Sequence, residues 1–414
     1  MTRALLVCPE PIGHGQPAGV GIRFLEMAKV LLADGHAVTL LSRDAGAVAG
    51  CRVDAITPET LQRYTAEADV AVVQGHAGND LFAHGRAIPT VVDLYDPFII
   101  ENLNYYETRG AEVFTHDHAT LMRLLLRGDL FLCASNAQRL FYLGALLGVG
   151  RVNPIAFGND PHLEALIRIA PFGVPGNADL PPTADDARDS QAGERPSVPA
   201  VLFGGIYDWY DPILAIDAVA IARAAMPDIT LTFTRHPNPS LTPQGKLADA
   251  IAYVKRNRYD FVRFEPWVAY EERAVFYGRF GAGLLTFPQS IETDLSMRIR
   301  VFDYLWGGLP IVTSSAPGTD ELLTKYRAGM IVRSAAATDF AEALVHALSD
   351  PRMRDGARRF VDDHQWQRTL QPLLDFVRAP CVDPQKDAFA ATLHVPEHPR
   401  SFFDRIKRRI GGSF

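Results

Sequence analysis

Short apolar runs alternate with longer segments of helical period along most of the chain. In the first half the runs are residues 4–8, 37–42, 70–74, 90–94 and 129–135. They are rich in Val and Leu and lack strict alternation, the pattern of parallel strands buried on both faces. Between them, residues 21–35 place Ile22, Leu25, Ala28, Val30 and Leu31 on one helical face and stop at Gly35. Residues 119–128 and 136–148 carry the same period. After residue 199 the alternation restarts. Strands are expected at 200–205, 229–234, 261–264, 281–287, 310–314 and 329–332, and helices at 212–225, 269–278, 296–307 and 337–350. No repeat of 20–50 residues is present.

The two series are separated by a Pro-, Asp- and Gly-rich stretch without apolar period, which reads as a linker. The expected organisation is a Rossmann-like unit over 1–175, a linker over 176–198, a second Rossmann-like unit over 199–380 and an extension over 381–414. The fold class is α/β, with two βαβ domains facing each other across a cleft. Ligands of such sheets bind outside the carboxyl ends of the strands.

Composition narrows the function. The 414 residues are 48% hydrophobic and 21% charged, with a formal net charge of −7. That excludes a disordered chain and gives no footprint for general nucleic-acid binding. Cys8, Cys51, Cys133 and Cys381 form no Cys-x-x-Cys pair, so neither a zinc site nor a disulfide framework is expected. The apolar run near the N-terminus is too short for a secretion signal, and no run is long enough to span a bilayer. A cytoplasmic protein is expected, with peripheral attachment to the inner membrane face left open.

Four features carry candidate chemistry. The first strand runs into a loop with Gly13, Gly15, Gly19 and Gly21, then a helix carrying Arg23. Glycines and helix amides can cradle a phosphate, although neither a Rossmann nor a P-loop spacing is present, and a plain strand-to-helix loop reads equally. Second, Asp93 and Asp96 stand at a strand end, with Asp96 before a proline. An acid there faces the cleft or serves a turn. His76 ends another strand. Third, residues 281–321 hold Glu292 in a polar loop and a helix expected to open at Ser296 as its cap. Met297, Arg298, Arg300 and Asp303 follow, then the Gly307-Gly308 stop. Helix amides and arginines suit phosphates, and Asp303 suits a ribose diol. An amphipathic helix burying Met297, Val301 and Leu305 is the alternative. Fourth, residues 400–414 place Phe402, Phe403, Ile406 and Ile410 on one helical face, with five cations against one acid. This reads either as a membrane-surface helix or as a helix packed on the first domain.

The stretch from Asp303 through Gly-Gly-Leu-Pro to Gly318-Thr319-Asp320-Glu321-Leu322 resembles the donor-site signature of GT-B glycosyltransferases, in particular glycosyltransferase family 4. VVDLYDPF, CASNAQRLFYLGALLGVGR, PFGVP, FGGIYDWYDP and RHPNP resemble a bacterial branch of that family and extend the likeness over both halves. The resemblance implies a retaining transfer of a sugar from a nucleotide sugar, without metal or cofactor, to a glycan or lipid-linked acceptor. Asp303 matches the acid the family uses on the nucleotide ribose. Leu295 stands where the family has its first Glu, so Glu292 is the substitute for the sugar contact. The family's Arg and Lys pair after the first strand of the second domain is replaced by residues 204–209. Arg298, Arg300 and Arg235 are then the candidates for the diphosphate, with Arg298 favoured for its place at the helix start. Asp96, His76 and Glu292 are the catalytic candidates. Gly19, Gly21, Arg23, Arg235, Ser296, Met297, Arg298, Arg300 and Asp303 are the donor-binding candidates. Two alternatives keep the fold: a non-catalytic sugar- or nucleotide-binding protein, and an epimerase or phosphorylase.

Overall fold

The computed structural model describes residues 1–13, 17–48, 51–105, 110–176, 199–235 and 245–386. Two sheets organise it. The first contains β1 (Arg3–Val7), β2 (Ala37–Ser42), β3 (Gly46–Val48), β4 (Cys51–Ala55), β5 (Val70–Val73), β6 (Thr90–Asp93), β7 (Leu130–Cys133) and β8 (Ile167–Ile169), in the order β3-β4-β2-β1-β5-β6-β7-β8. All its pairings are parallel except β3 against β4. The second contains β9 (Ala200–Gly205), β10 (Thr230–Thr234), β11 (Val262–Glu265), β12 (Ala282–Leu285), β13 (Ile311–Ser314) and β14 (Gly329–Val332), all parallel, in the order β11-β10-β9-β12-β13-β14. The central strands are buried on both faces, as their unbroken Val and Leu runs require.

The short strands β3, β4 and β8 lay outside the expected set, because three to five residues are too few for a periodicity to register. Helix Pro58–Glu67 was also missed, although Thr57 and Thr60 form a capping box with Pro58 at the first turn. Helix Asn136–Gly148 has its expected limits, opened by Ser135 accepting from Gln138 N.

The backbone crosses back to the first unit at residues 364–366. His364 O accepts from Val174 N at 2.8 Å, and Trp366 N donates to Val174 O at 3.2 Å. Phe172 meets the Trp366 ring edge-on at 4.6 Å. Helices Trp366–Thr369 and Gln371–Arg378 therefore lie against the first unit, not within the second unit expected to run to 380. Arg378 pairs with Asp34 at 2.7 Å, and Asp383 with Arg151 at 2.7 Å. Residues 177–198 of the expected linker and residues 387–414, which hold the expected basic helix, lie outside the described residues.

Candidate functional site

A cleft of about 700 Å³ lies between the carboxyl ends of the two sheets. Its walls differ in charge. From the first unit come Glu10, Asp44, Asp96 and Glu101; from the second come Arg235, Arg273, Arg298, Arg300 and Asp303.

The second-unit wall is built around the end of β9. The ladder with β10 steps from Leu202 to Gly204, skipping Phe203. Such a bulge leaves a carbonyl outside the regular pairing, and Phe203 O accepts from Arg300 Nη1 at 2.9 Å. Gly204 has φ +75°, and a Cβ on it would lie 3.2 Å from Arg300 Nε and 3.1 Å from Tyr304 Oη. Glycine is needed there for both conformation and space. The Arg300 guanidinium thus stands beside Gly204-Gly205, the place of the missing basic pair. It lies over the rings of Tyr210 at 4.5 Å and Tyr207 at 5.6 Å. Phe203 O is its sole hydrogen-bond acceptor among the described residues.

Arg300 and Asp303 share helix Ile299–Trp306 and are three residues apart, hence about 60° around it. Both face the cleft, while Val301, Phe302 and Leu305 fill the core. Asp303 Oδ2 accepts from Arg273 Nη1 and from Tyr277 Oη, each at 3.0 Å. Its Oδ1 has no hydrogen-bond partner among the described residues, so one carboxylate oxygen is fixed and the other remains open. Arg273 and Tyr277 were not foreseen, because 30 and 26 residues separate them from Asp303 and only the fold joins them.

The segment before this helix departs from expectation. Ser296 does not open it. A separate short helix, Ile291–Leu295, ends at Ser296, and the next begins at Ile299 with Arg298 as a cap whose side chain makes no capping bond. Polar residues of the strand-end loop favour a separate turn, with Ser290 accepting from Thr293 N at 3.3 Å. Ser296 Oγ donates to Glu101 Oε1 at 3.3 Å. Met297 O accepts from Tyr95 Oη at 2.8 Å, and Leu295 O from Gln138 Nε2 at 2.9 Å. These bonds seat the segment on the first unit.

Two candidates there neutralise each other. Arg298 Nη2 donates to Glu292 Oε2 at 2.9 Å, and their side chains are 4% and 5% exposed. Arg298 also lies over Phe287 at 4.3 Å. Arg298 is thus engaged by a protein carboxylate, and Glu292 is held beneath the cleft instead of facing it.

The first-unit wall brings three further corrections. Helix Gly19–Ala33 does open at the cleft, but Glu10 lies against its first turn. Glu10 Oε2 accepts from Gly21 N at 2.8 Å, and burial raises the Glu10 carboxyl above its usual range. A protein carboxylate thus takes the anion position expected for a donor phosphate. Gly19 serves packing instead, since a Cβ on it would lie 2.2 Å from Ile299 Cδ1. Arg23 is fully buried and forks onto Asp93, with Nε–Oδ2 at 2.7 Å and Nη2–Oδ1 at 3.1 Å. It also donates to Ala170 O and Pro171 O, which leaves it no access to the cleft. His76 lies outside the cleft lining. Its Nε2 is 3.0 Å from Asp117, and its ring stacks on His116 at 4.8 Å.

Asp96 lines the cleft, followed by the short helix Phe98–Glu101 that Pro97 opens. That turn carries Glu101 back to hydrogen-bond the Asp96 carboxyl. Burial raises Asp96 to about 6, with Glu10, Asp93 and Glu292 adding to the rise. Glu101 goes well above its ordinary range through burial and the Asp96 charge. Burial and the neighbouring acid thus push both carboxyls toward the protonated form. The signal for Glu101 was the Asp-Pro helix start five residues before it. Among the described residues no group of three His, Cys, Asp or Glu side chains is placed to hold a metal ion.

Residues 227–375, most of the second unit, match a protein family described as glycosyl transferase-like. HepE of Anabaena in complex with UDP-glucose superposes with a TM-score of 0.67 at 14% identity, over 92% of this chain and 100% of that one. Sucrose-phosphate synthase from Thermosynechococcus elongatus gives 0.65 at 15% identity, over 91% and 98%. The fold is GT-B. WaaG, a glycosyltransferase involved in lipopolysaccharide biosynthesis, shares this GT-B architecture at 14% identity and a TM-score of 0.61, over 91% of this chain and 100% of its own. No curated protein sequence matches the chain.

Proposed function

We propose that this chain transfers a sugar from a nucleotide-sugar donor to a glycan or lipid-linked acceptor, with retention and without metal or cofactor, in bacterial glycan synthesis. The observation that carries the reading is Arg300 and Asp303 side by side on one helix face, one with open donors and one with an open oxygen. Arg300 donates to the diphosphate, and Asp303 Oδ1 accepts from the ribose. Arg235, exposed just after β10, and Trp267 also line the cleft, and in this reading they meet the base. The glycosyl transferase-like match of residues 227–375 supports this assignment.

In the transfer, the acceptor oxygen bonds to the anomeric carbon as the bond from that carbon to the diphosphate oxygen breaks. The electron pair leaves with the diphosphate, which takes the acceptor's hydroxyl proton. Arg300 stabilises the growing charge, an effect of about 2.7–4 kcal/mol for one well-placed donor. Asp96, ionised above pH about 6, accepts the hydrogen bond that orients the acceptor hydroxyl.

Peripheral membrane attachment through residues 400–414 belongs to the same proposal. No helix among the described residues is long and apolar enough to cross a membrane. The non-catalytic alternative rests on buried Leu295 in place of the first Glu and on Glu292 being engaged by Arg298. A thermal-shift panel of nucleoside diphosphates, followed by release of nucleoside diphosphate from the matching sugar donor, tests the proposal. Stabilisation without release supports the non-catalytic reading. A ligand at 100 times its dissociation constant stabilises by about 2.7 kcal/mol.

A further inference from the structure

Arg273 and Tyr277 reach Asp303 from the short helix Arg273–Tyr277, and all three line the cleft. The Arg273 and Asp303 side chains are 14% and 12% exposed there. Arg273 Nη1 donates to Asp303 Oδ2 at 3.0 Å, and Tyr277 Oη donates to the same oxygen at 3.0 Å. No second hydrogen bond joins the arginine to the acid. Arg273 Nε and Nη2 therefore have no acceptor, and Asp303 Oδ1 no donor, among the described residues. The guanidinium lies over the rings of Tyr270 at 5.6 Å and Trp267 at 5.9 Å. One fixed hydrogen bond thus has an open donor on one side and an open acceptor on the other.

Charge decides what fits such a pair. The Asp303 carboxylate offsets the Arg273 cation, so the two offer hydrogen bonds with little net charge. Arg300 is the opposite case: its acceptor is a neutral carbonyl, and its charge is left for the cleft. A phosphate oxygen only accepts, and beside Asp303 it would meet a carboxylate, so it belongs on Arg300. Adjacent hydroxyls each donate and accept. One can donate to Asp303 Oδ1 while its neighbour accepts from Arg273. Asp303 lies three residues beyond Arg300, about 4.5 Å along the helix. That short step suits the sugar joined to a phosphate and falls short of the base.

We propose that Arg273 is a specificity-determining residue of the donor site: with Asp303 it takes the two hydroxyls of a ribose, one on each residue, so that a nucleotide lacking either hydroxyl binds poorly. The inference rests on the nucleotide-sugar reading and on Asp303 as the ribose acid. A deoxyribose would leave either the Arg273 donor or the Asp303 oxygen without a partner, and a site built around a hydroxyl rejects the analogue that lacks it.

The test is calorimetric titration of the full chain with UDP, GDP, ADP and CDP, then with the 2′-deoxy and 3′-deoxy forms of the one that binds tightest. Each deoxy form should bind the wild type at least about tenfold more weakly than its parent. Arg273→Met removes the donors and keeps the length of the side chain. It should reduce one of the two ratios to about threefold or less and leave the other near tenfold, because only one hydroxyl depends on Arg273. A melting curve confirms that the variant is folded. If it melts too low to titrate, Arg273→Lys is read in the same way, since it keeps a cation beside Asp303 with one nitrogen in place of the fork. A deoxy form that binds the wild type less than tenfold more weakly overturns the proposal. So does a folded variant that keeps both ratios, or one that loses both together, which is the behaviour of a residue that only braces Asp303. If none of the four nucleoside diphosphates binds, the nucleotide reading fails and the inference falls with it. If one binds and tolerates the loss of a hydroxyl, the inference alone fails.

Discussion

Replacing Arg300 by Ala removes a guanidinium that donates to a bulge carbonyl and leaves its other donors toward the cleft. The loss has two parts. Phe203 O loses its partner, at about 1 kcal/mol of stability, since water from the cleft can replace it. The larger part is the diphosphate contact: about 2.7–4 kcal/mol in the transition state, a 100- to 1,000-fold fall in turnover. Arg300→Lys keeps the charge but lacks the planar fork, and should recover about tenfold of that loss. Arg298→Ala is the contrasting change. It leaves the Glu292 carboxylate buried and uncompensated, at about 3–5 kcal/mol of stability. The assay is affinity for nucleoside diphosphate against the unphosphorylated nucleoside, with a melting curve for each variant. Arg300→Ala should lose diphosphate affinity, keep nucleoside affinity and melt near the wild type. Arg298→Ala should melt far lower. A folded Arg298→Ala protein with reduced diphosphate affinity, beside an unaffected Arg300→Ala protein, refutes the assignment.

Asp303→Ala should weaken nucleotide binding by about 1.5–3 kcal/mol, the worth of a hydrogen bond to a charged group, as measured by calorimetry on the folded variant. Gly204→Ala should lower diphosphate affinity by displacing Arg300, with little change in nucleoside affinity, because a Cβ there meets Arg300 Nε at 3.2 Å. Asp96 is held near 6 by burial, above its unfolded value of about 3.9, so the folded protein binds the extra proton between pH 4 and 6 and this group's contribution to stability falls as pH rises across that window. Transfer should accordingly rise through pH about 6, and Asp96→Asn should flatten that limb; an unchanged limb in a pH–rate profile removes Asp96 from the site. Deletion of residues 400–414 should reduce co-sedimentation with anionic liposomes at low salt while donor hydrolysis persists, since each surface cation contributes about 1 kcal/mol.

Much of the fold could be read in the sequence because parallel strands are buried on both faces. Runs such as Val70–Val73 and Leu130–Cys133 carry that burial in composition alone. Edge elements carry less of it, and β3 and β8 escaped notice. At the site, Asp303 could be named because it matches the ribose acid of the resembling donor signature, and Arg300 only as one of three cations for the diphosphate. Their protein partners could not be named, since Arg273 and Tyr277 approach from another helix. Choosing Arg298 over Arg300 assumed a helix opening at Ser296. The helix begins three residues later, after a short helix that delivers Glu292 to Arg298. Arg23 and the glycine-rich loop misled for a related reason. Sequence shows a cation and a helix N-terminus, but not the buried Asp93 and Glu10 that already satisfy them.

The most direct test of the central claim is the release of nucleoside diphosphate from a panel of nucleotide sugars by purified wild-type protein, followed by coupled detection. One donor should be hydrolysed slowly without acceptor, and the rate should fall at least 100-fold in Arg300→Ala. No release from any donor by protein that nonetheless binds nucleoside diphosphate, or release unaffected by Arg300→Ala, would contradict it.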